Sequence, residues 1–91
     1  MLGQMEYTYE DFKVGDIVAH YHQHHGKEYT DKVIKVELFH ATRLAILTLD
    51  RKKEHNGGIW RAKGNETIFH PSVTKIHRKD EKGKLYIIQH P

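Results

Sequence analysis

Four histidines lie within six consecutive positions, and imidazole is the commonest protein ligand of metal ions. They are His20, His22, His24 and His25. If residues 17–22 form a strand, His20 and His22 project to one face about 6.5–7 Å apart, at a rise of about 3.3 Å per residue. With some bending of that strand the two rings can share one Zn²⁺, and His24 or His25 can fold back as a third ligand.

The alternative is a β-hairpin whose tip is rich in histidine and holds no specific metal. A metal ion stabilises a fold when it joins ligands from separate segments, whereas these four histidines are all local. The other five of the nine histidines are scattered along the chain. We therefore expect a histidine-decorated hairpin, with a zinc site as the less favoured alternative.

A second group of residues combines cations with the one tryptophan of the chain. Its members are Arg51, Lys52, Lys53, Trp60, Arg61 and Lys63. Single-stranded nucleic acid needs such a set, because cations contact its phosphates and an aromatic ring stacks on a base. In the expected hairpin register, however, Trp60 shares a face with Leu47 and Leu49. Trp60 is then a core residue whose edge Lys53 covers, and both interpretations stay open.

The charge of the chain is uneven along its length. Residues 1–49 hold five Lys and Arg against seven Asp and Glu, a net charge of −2. Residues 50–91 hold ten against five, a net charge of +5, and the two halves add to the +3 of the chain. A basic half indicates an acidic partner such as nucleic acid, or else a surface that lysines keep solvated.

Composition narrows the class of protein further. There is no cysteine, which excludes disulfides and thiolate metal sites and fits a reducing, cytoplasmic compartment. Residues 1–11 have no apolar run typical of a signal peptide, and no segment approaches the ~20 apolar residues that span a membrane. Catalytic motifs such as a phosphate loop or His-Glu-x-x-His are also missing, so we expect a protein that is not an enzyme.

The spacing of apolar residues predicts an all-β protein. Short runs rich in Val, Ile, Leu and Tyr predict strands at residues 17–22, 29–38, 44–50, 59–63, 73–78 and 85–89. In the second strand Ile34 should point inward and Asp31 outward. A type I′ turn at Asn56-Gly57 should join the third and fourth strands, placing Lys53 opposite Trp60. Pro71 predicts a 3₁₀ turn before the fifth strand.

The order of these motifs resembles a known family of folds. The segments FKVGDIV and VIKV, the hairpin and VTKIHR look like the SH3-like small barrels, including the Tudor, KOW and CarD types. The resemblance implies a small barrel of five to six antiparallel strands with short 3₁₀ turns. We expect one domain over residues 1–91, with residues 1–11 packed on a barrel of residues 12–78 and an edge strand within 79–91.

We expect this protein to be a small binding module that acts in nucleic-acid processing. It would contact nucleic acid, or the machinery that handles it, through the basic hairpin. A second hypothesis is a protein-binding inhibitor or adaptor, like the compact accessory proteins that phages and plasmids encode, which docks on a host enzyme. A third hypothesis is a metal-binding module that uses the histidine hairpin. None of the three requires a membrane.

Overall fold

The computed structural model describes residues 7–21 and 26–89, and this part of the chain is all-β, as predicted. Two single 3₁₀ turns lie at Tyr9–Asp11 and His70–Ser72. The strands are β1 (Ile17–Tyr21), β2 (Glu28–Phe39), β3 (Leu44–Arg51), β4 (Glu54–Asn56), β5 (Ile59–Arg61), β6 (Gly64–Phe69), β7 (Val73–Lys79) and β8 (Leu85–Ile87). No helix in the described ranges is long and apolar enough to cross a membrane.

Six of the strands form one antiparallel sheet in the order β6-β3-β2-β1-β7-β8, and β4 pairs with β5 alone. The described strands β6 and β8 are the two edges, so the sheet is open and its ladder does not close on itself. The predicted edge strand near the end of the chain is β8. The strand that sequence patterns missed is β6, because its Gly, Asn, Glu and Thr residues have low or mixed β-propensity and its pairing with β3 overrides that propensity.

The core lies on one face of this sheet. Leu47 and Leu49 of β3 are fully buried with Val18, Val33 and Ile76. The alternation of buried and partly buried residues in β3 is that of a strand with one face on a core. The sequence predicted β3 as the central strand, but β3 lies second from the edge, and β2 and β1 take the middle of the sheet.

A bulge in β2 reverses the predicted faces of this strand up to Ile34. Val33 pairs with Leu49 and Lys35 with Thr48, so Ile34 is the extra residue. Such an insertion shifts the two-residue side-chain period by one. As a result Ile34 is exposed, whereas Asp31, which was expected to face solvent, is buried.

The segment before β1 covers one end of the core. Phe12 is buried, and the ring of Tyr7 meets it edge-on with 6.0 Å between centroids. The Tyr7 hydroxyl donates to the carbonyl of Ile88 at 3.0 Å. Beside them, Arg78 donates to the buried carboxylate of Asp16 through Nε at 2.7 Å. This hydrogen bond raises the pKa of Arg78, against the lowering effect of burial. A satisfied ion pair therefore ties β7 to the entry of β1.

Candidate nucleic-acid interface on the β4–β5 hairpin

The β4–β5 hairpin is the tip of a longer hairpin that begins with β3 and β6. Arg51 pairs with Gly64 at the end of the long ladder, and Glu54 pairs with Arg61 in the short one. The same register continues through both ladders, but residues 52–53 and 62–63 interrupt the pairing. The interruption lets the tip form its own small sheet.

The turn of this hairpin lies one residue later than the sequence predicted. Asn56 pairs with Ile59, so Gly57 and Gly58 form the two-residue loop, with φ angles of 61° and 87°. A type I′ turn needs positive φ at both central residues, and two glycines adopt it with less strain than Asn-Gly. The predicted Asn56-Gly57 turn is therefore wrong, and Trp60 lies opposite His55 instead of Lys53.

Trp60 lies on the outer face of the hairpin. Its side chain is 68% exposed, so the interpretation as a core residue is wrong. An unbroken ladder would have kept Trp60 on the face of Leu47 and Leu49, and the interruption reverses that face. The ring stacks against His55 with 4.7 Å between centroids and a tilt of 33°, and Lys53 Nζ lies 5.9 Å from it. His55 thus covers one face of the indole, and the high exposure of the side chain leaves room for a planar ligand.

Arg61 points the opposite way and enters the protein. The sequence grouped it with the surface cations, but it is buried, with 8% of its area exposed. Its Nη1 and Nη2 donate to the two carboxylate oxygens of Asp31 at 2.6 and 2.7 Å. Nη2 also donates to Glu54, and the guanidinium lies 4.1 Å from the ring centre of Tyr29. Because neighbouring residues on a strand face opposite sides, burial of Arg61 holds Trp60 outward.

Asp31 joins the hairpin to the sheet. His20 of β1 is buried beside it, with Nε2 at 2.8 Å from the oxygen that also accepts from Arg61 Nη1. Burial by itself raises the pKa of the Asp31 carboxyl, but hydrogen bonds from His20 and Arg61 and the charge of Arg61 outweigh burial. The pKa therefore lies below its ordinary value, and Asp31 is ionised at neutral pH.

Arg51 fixes the base of the same hairpin. Its Nε donates to the carbonyl of Ala62 at 2.7 Å, and its Nη1 lies 3.8 Å from Glu66. Arg51 and Arg61, both predicted to contact a ligand, make structural contacts within the hairpin and to the sheet. A free two-stranded hairpin of this length is marginally stable in water, so these contacts help to hold it in position.

The exposed cations of the predicted set are Lys52, Lys53 and Lys63, which lie in and beside the interruption. The structure adds Lys27, which sequence reasoning missed. The end of its side chain lies against Gly57 at the turn. Lys27 precedes β2, and no pattern in the sequence relates it to a turn thirty residues away. Lys53 is thus 5.9 Å from the Trp60 ring, and the other three lysines lie in the interruption and at the turn of the same hairpin.

The structure describes only one of the four predicted zinc ligands. His22, His24 and His25 lie outside the described residues, and His20 points inward. In the described part of the chain, His20, Asp31 and Glu66 place donor atoms within 4.8 Å of one another, a set that suits a divalent cation in kind. However, the Arg61 guanidinium, 2.6 Å from Asp31, already supplies the positive charge and would repel a metal ion.

The chain was compared with known proteins at three levels. It matches no protein-family model, no curated protein and no solved structure.

Proposed function

We propose that this protein is a non-enzymatic binding module that holds single-stranded nucleic acid on its β4–β5 hairpin. The observation that carries the proposal is the exposed indole of Trp60 on a hairpin that buried contacts fix in place. Lys53 lies 5.9 Å from its ring, three further lysines lie on neighbouring segments, and one face of the ring is already stacked on His55. A base stacks on the outer face of the indole while the lysines contact phosphates on either side.

A single strand is favoured over a duplex because a lone exposed ring binds an unstacked base. Stacking on an aromatic residue contributes about 1–3 kcal/mol per base and tolerates any sequence, since every base has a π-face. The lysines carry long, flexible side chains and offer no rigid fork for reading base edges. We therefore expect weak sequence preference and strong dependence on salt.

The fold supports a module of this kind. We propose that the chain is a variant of the SH3-like small barrel, from the strand order β6-β3-β2-β1-β7 and the 3₁₀ turn between β6 and β7. The missing cysteines are in keeping with a cytoplasmic location. In this proposal the sheet is a frame and the hairpin carries the binding residues.

The test is a titration with oligonucleotides that uses Trp60 as its own reporter, because it is the one tryptophan of the chain. Single-stranded DNA or RNA should quench its fluorescence. Replacing Trp60 with Ala should weaken binding, followed by anisotropy, by about 5–150-fold, the equivalent of 1–3 kcal/mol. Trp60→Tyr, which keeps a ring, should lose far less. Equal loss in both variants, or no binding by the parent at low salt, would refute the proposal.

Salt dependence separates the lysines from the ring. Each neutralised phosphate of a single strand adds about −0.7 to the slope of log K against log salt, so three or four lysines give about −2 to −3. Lys53→Glu should reduce that slope by about one contact. Lys82→Glu makes the same change in the turn between β7 and β8 and serves as the matched control, with an unchanged slope expected.

A second candidate function rests on a different observation. Phe39 at the end of β2 and Phe69 at the end of β6 are each about half exposed, and their rings lie 6.4 Å apart. Paired exposed aromatic rings are typical of the anchor residues of protein interfaces. The alternative is therefore an adaptor or inhibitor that docks on a nucleic-acid-processing protein. Loss of partner binding in Phe39→Ser with nucleic-acid binding unchanged would favour it.

A further inference from the structure

The open edge of β8 differs from the open edge of β6. Edge strands are usually protected from pairing with other chains by inward charges, bulges, prolines or lysines. The edge strand β6 has an inward charge at Glu66, which lies 3.8 Å from Arg51. The strand β8 is Leu85-Tyr86-Ile87, with no charge and no proline, and its three side chains are 44–49% exposed. Among the described residues, β8 is therefore an apolar edge that none of these devices protects.

The backbone groups of β8 alternate between its neighbour β7 and the open side. Ile88 donates its N–H to Ile76 at 2.8 Å, and Lys84 accepts from Asp80 at 2.9 Å. In an antiparallel ladder the bonded pairs alternate, so Tyr86 also bonds to β7, opposite Arg78. The N–H and C=O groups of Leu85 and Ile87 therefore point to the open edge. Within the described residues no strand pairs with them.

We propose that a second copy of this chain pairs with this edge, β8 to β8, about a twofold axis at Tyr86. In that antiparallel register Leu85 faces Ile87 of the other copy, twice, and all four outward backbone groups form hydrogen bonds. Tyr86 faces its own equivalent, an aromatic cross-strand pair that stabilises antiparallel strands. Lys84 faces Ile88, so no like charges oppose each other along the strand.

The alternation of the bonds selects this register. If the twofold axis lay at Leu85 or at Ile87, that residue would bond to its equivalent in the other copy. The outward backbone groups of the other residue would then have no partner within β8 of the second copy. The interface is also short. A stable dimer usually buries at least ~1,200 Å², more than a three-residue strand supplies alone, so we expect association roughly between micromolar and millimolar affinity.

The test has two parts and uses the full chain without nucleic acid, so its outcome is independent of the proposed function. Sedimentation velocity at roughly 5–500 µM should show a mass that rises from 10.7 kDa toward twice that value. Tyr86→Lys, which puts like charges together at the axis, should remain monomeric at every concentration. Val14→Lys makes the same change at another exposed apolar residue and should associate like the parent.

Mixing and cross-linking then test the register itself. An equimolar mixture of Tyr86→Lys and Tyr86→Glu should restore association, because the two variants attract each other only if they meet at the axis. Since the chain has no cysteine, Tyr86→Cys gives a single thiol whose Cα lies about 4.5 Å from its equivalent, within disulfide reach. Leu85→Cys lies about 7–8 Å from its equivalent, too far to link.

The outcomes separate cleanly. Association with cross-linking at Tyr86 and not at Leu85 supports the proposal. A parent that stays monomeric at every concentration overturns it, as does association that Tyr86→Lys leaves intact. Cross-linking of Leu85→Cys as fast as Tyr86→Cys also overturns it, because the register would then be a different one.

Discussion

The contact between Asp31 and Arg61 gives the sharpest stability prediction, because it is buried and joins two parts of the fold. Asp31→Asn keeps the size of the side chain and removes its charge. Arg61 then keeps a guanidinium that is 92% buried, with only the partly exposed Glu54 as a counter-ion, and the new amide group presents donors to the donors of Arg61. Removing one partner of a buried ion pair costs about 3–5 kcal/mol.

That cost is large against the stability of a domain of this size. At about 0.05–0.15 kcal/mol per residue, 91 residues have a free energy of unfolding of about 5–14 kcal/mol. A loss of about 1 kcal/mol lowers the Tm of such a domain by about 4–8 °C, so Asp31→Asn should lower it by about 12–40 °C. Circular dichroism during a thermal ramp measures the shift.

Two variants show whether the charge is the cause. Asp50→Asn makes the same chemical change at an exposed position of β3 and should stay within about 0.5 kcal/mol of the parent. Asp31→Leu combined with Arg61→Met removes both charges and should be much less harmful than Asp31→Asn, since well-packed apolar pairs often replace buried ion pairs without loss. It also removes Arg61 Nε, a buried donor without a hydrogen-bond partner. If Asp31→Asn melts within 2 °C of the parent, about what 0.5 kcal/mol produces, the reasoning fails.

Three other outcomes are expected, two from the contact between Asp31 and Arg61 and one from the turn of the hairpin. The pKa of Asp31 is lowered in the folded protein, so its contribution to stability is present above the unfolded value of about 3.9 and is lost as pH falls through the folded value. In Asp31→Asn the free energy of unfolding, measured with urea, should therefore fall less steeply at acid pH. Gly58→Val, in open space at φ 87°, should cost about 1–3 kcal/mol through strain alone while Gly58→Asn costs less, and a Tm shift equal for both would contradict the turn. Chelator should leave the Tm of the purified protein unchanged, because Arg61 already neutralises the buried carboxylate of Asp31. A fall in Tm would restore the zinc hypothesis.

Much of the sheet could be predicted from the sequence, because its strands alternate regularly. β1, β3, β7 and β8 lie where the apolar pattern placed them, within one or two residues of the predicted ends. Val73–Lys79 follows a 3₁₀ turn that Pro71 predicted, since proline cannot donate within a ladder. Local chemistry determined these elements, and no distant contact reversed them.

The candidate site was harder to predict because two interruptions of regular pairing decide which way its residues face. The bulge at Ile34 buries Asp31, and the break after Arg51 exposes Trp60 and buries Arg61. A sequence pattern assumes an unbroken period of two. The one extra residue of the bulge exchanges the faces on one side of it, whereas the two unpaired residues on each strand of the hairpin release its tip from the face pattern of the ladder. The residues of the site were therefore recognisable, but their roles depended on tertiary pairing.

Arg61 shows why cations that are close together in a sequence need not be close together on the surface. Arg61 and Trp60 are neighbours on one short strand, so they must face opposite sides. The buried partner Asp31 decides which of the two enters the protein, and a guanidinium satisfies that carboxylate through two parallel hydrogen bonds that an indole lacks. Once Arg61 is buried, the large apolar ring has no route into the core and remains in solvent. Burial of Arg61 therefore removes one cation from the surface and, in the same step, exposes Trp60.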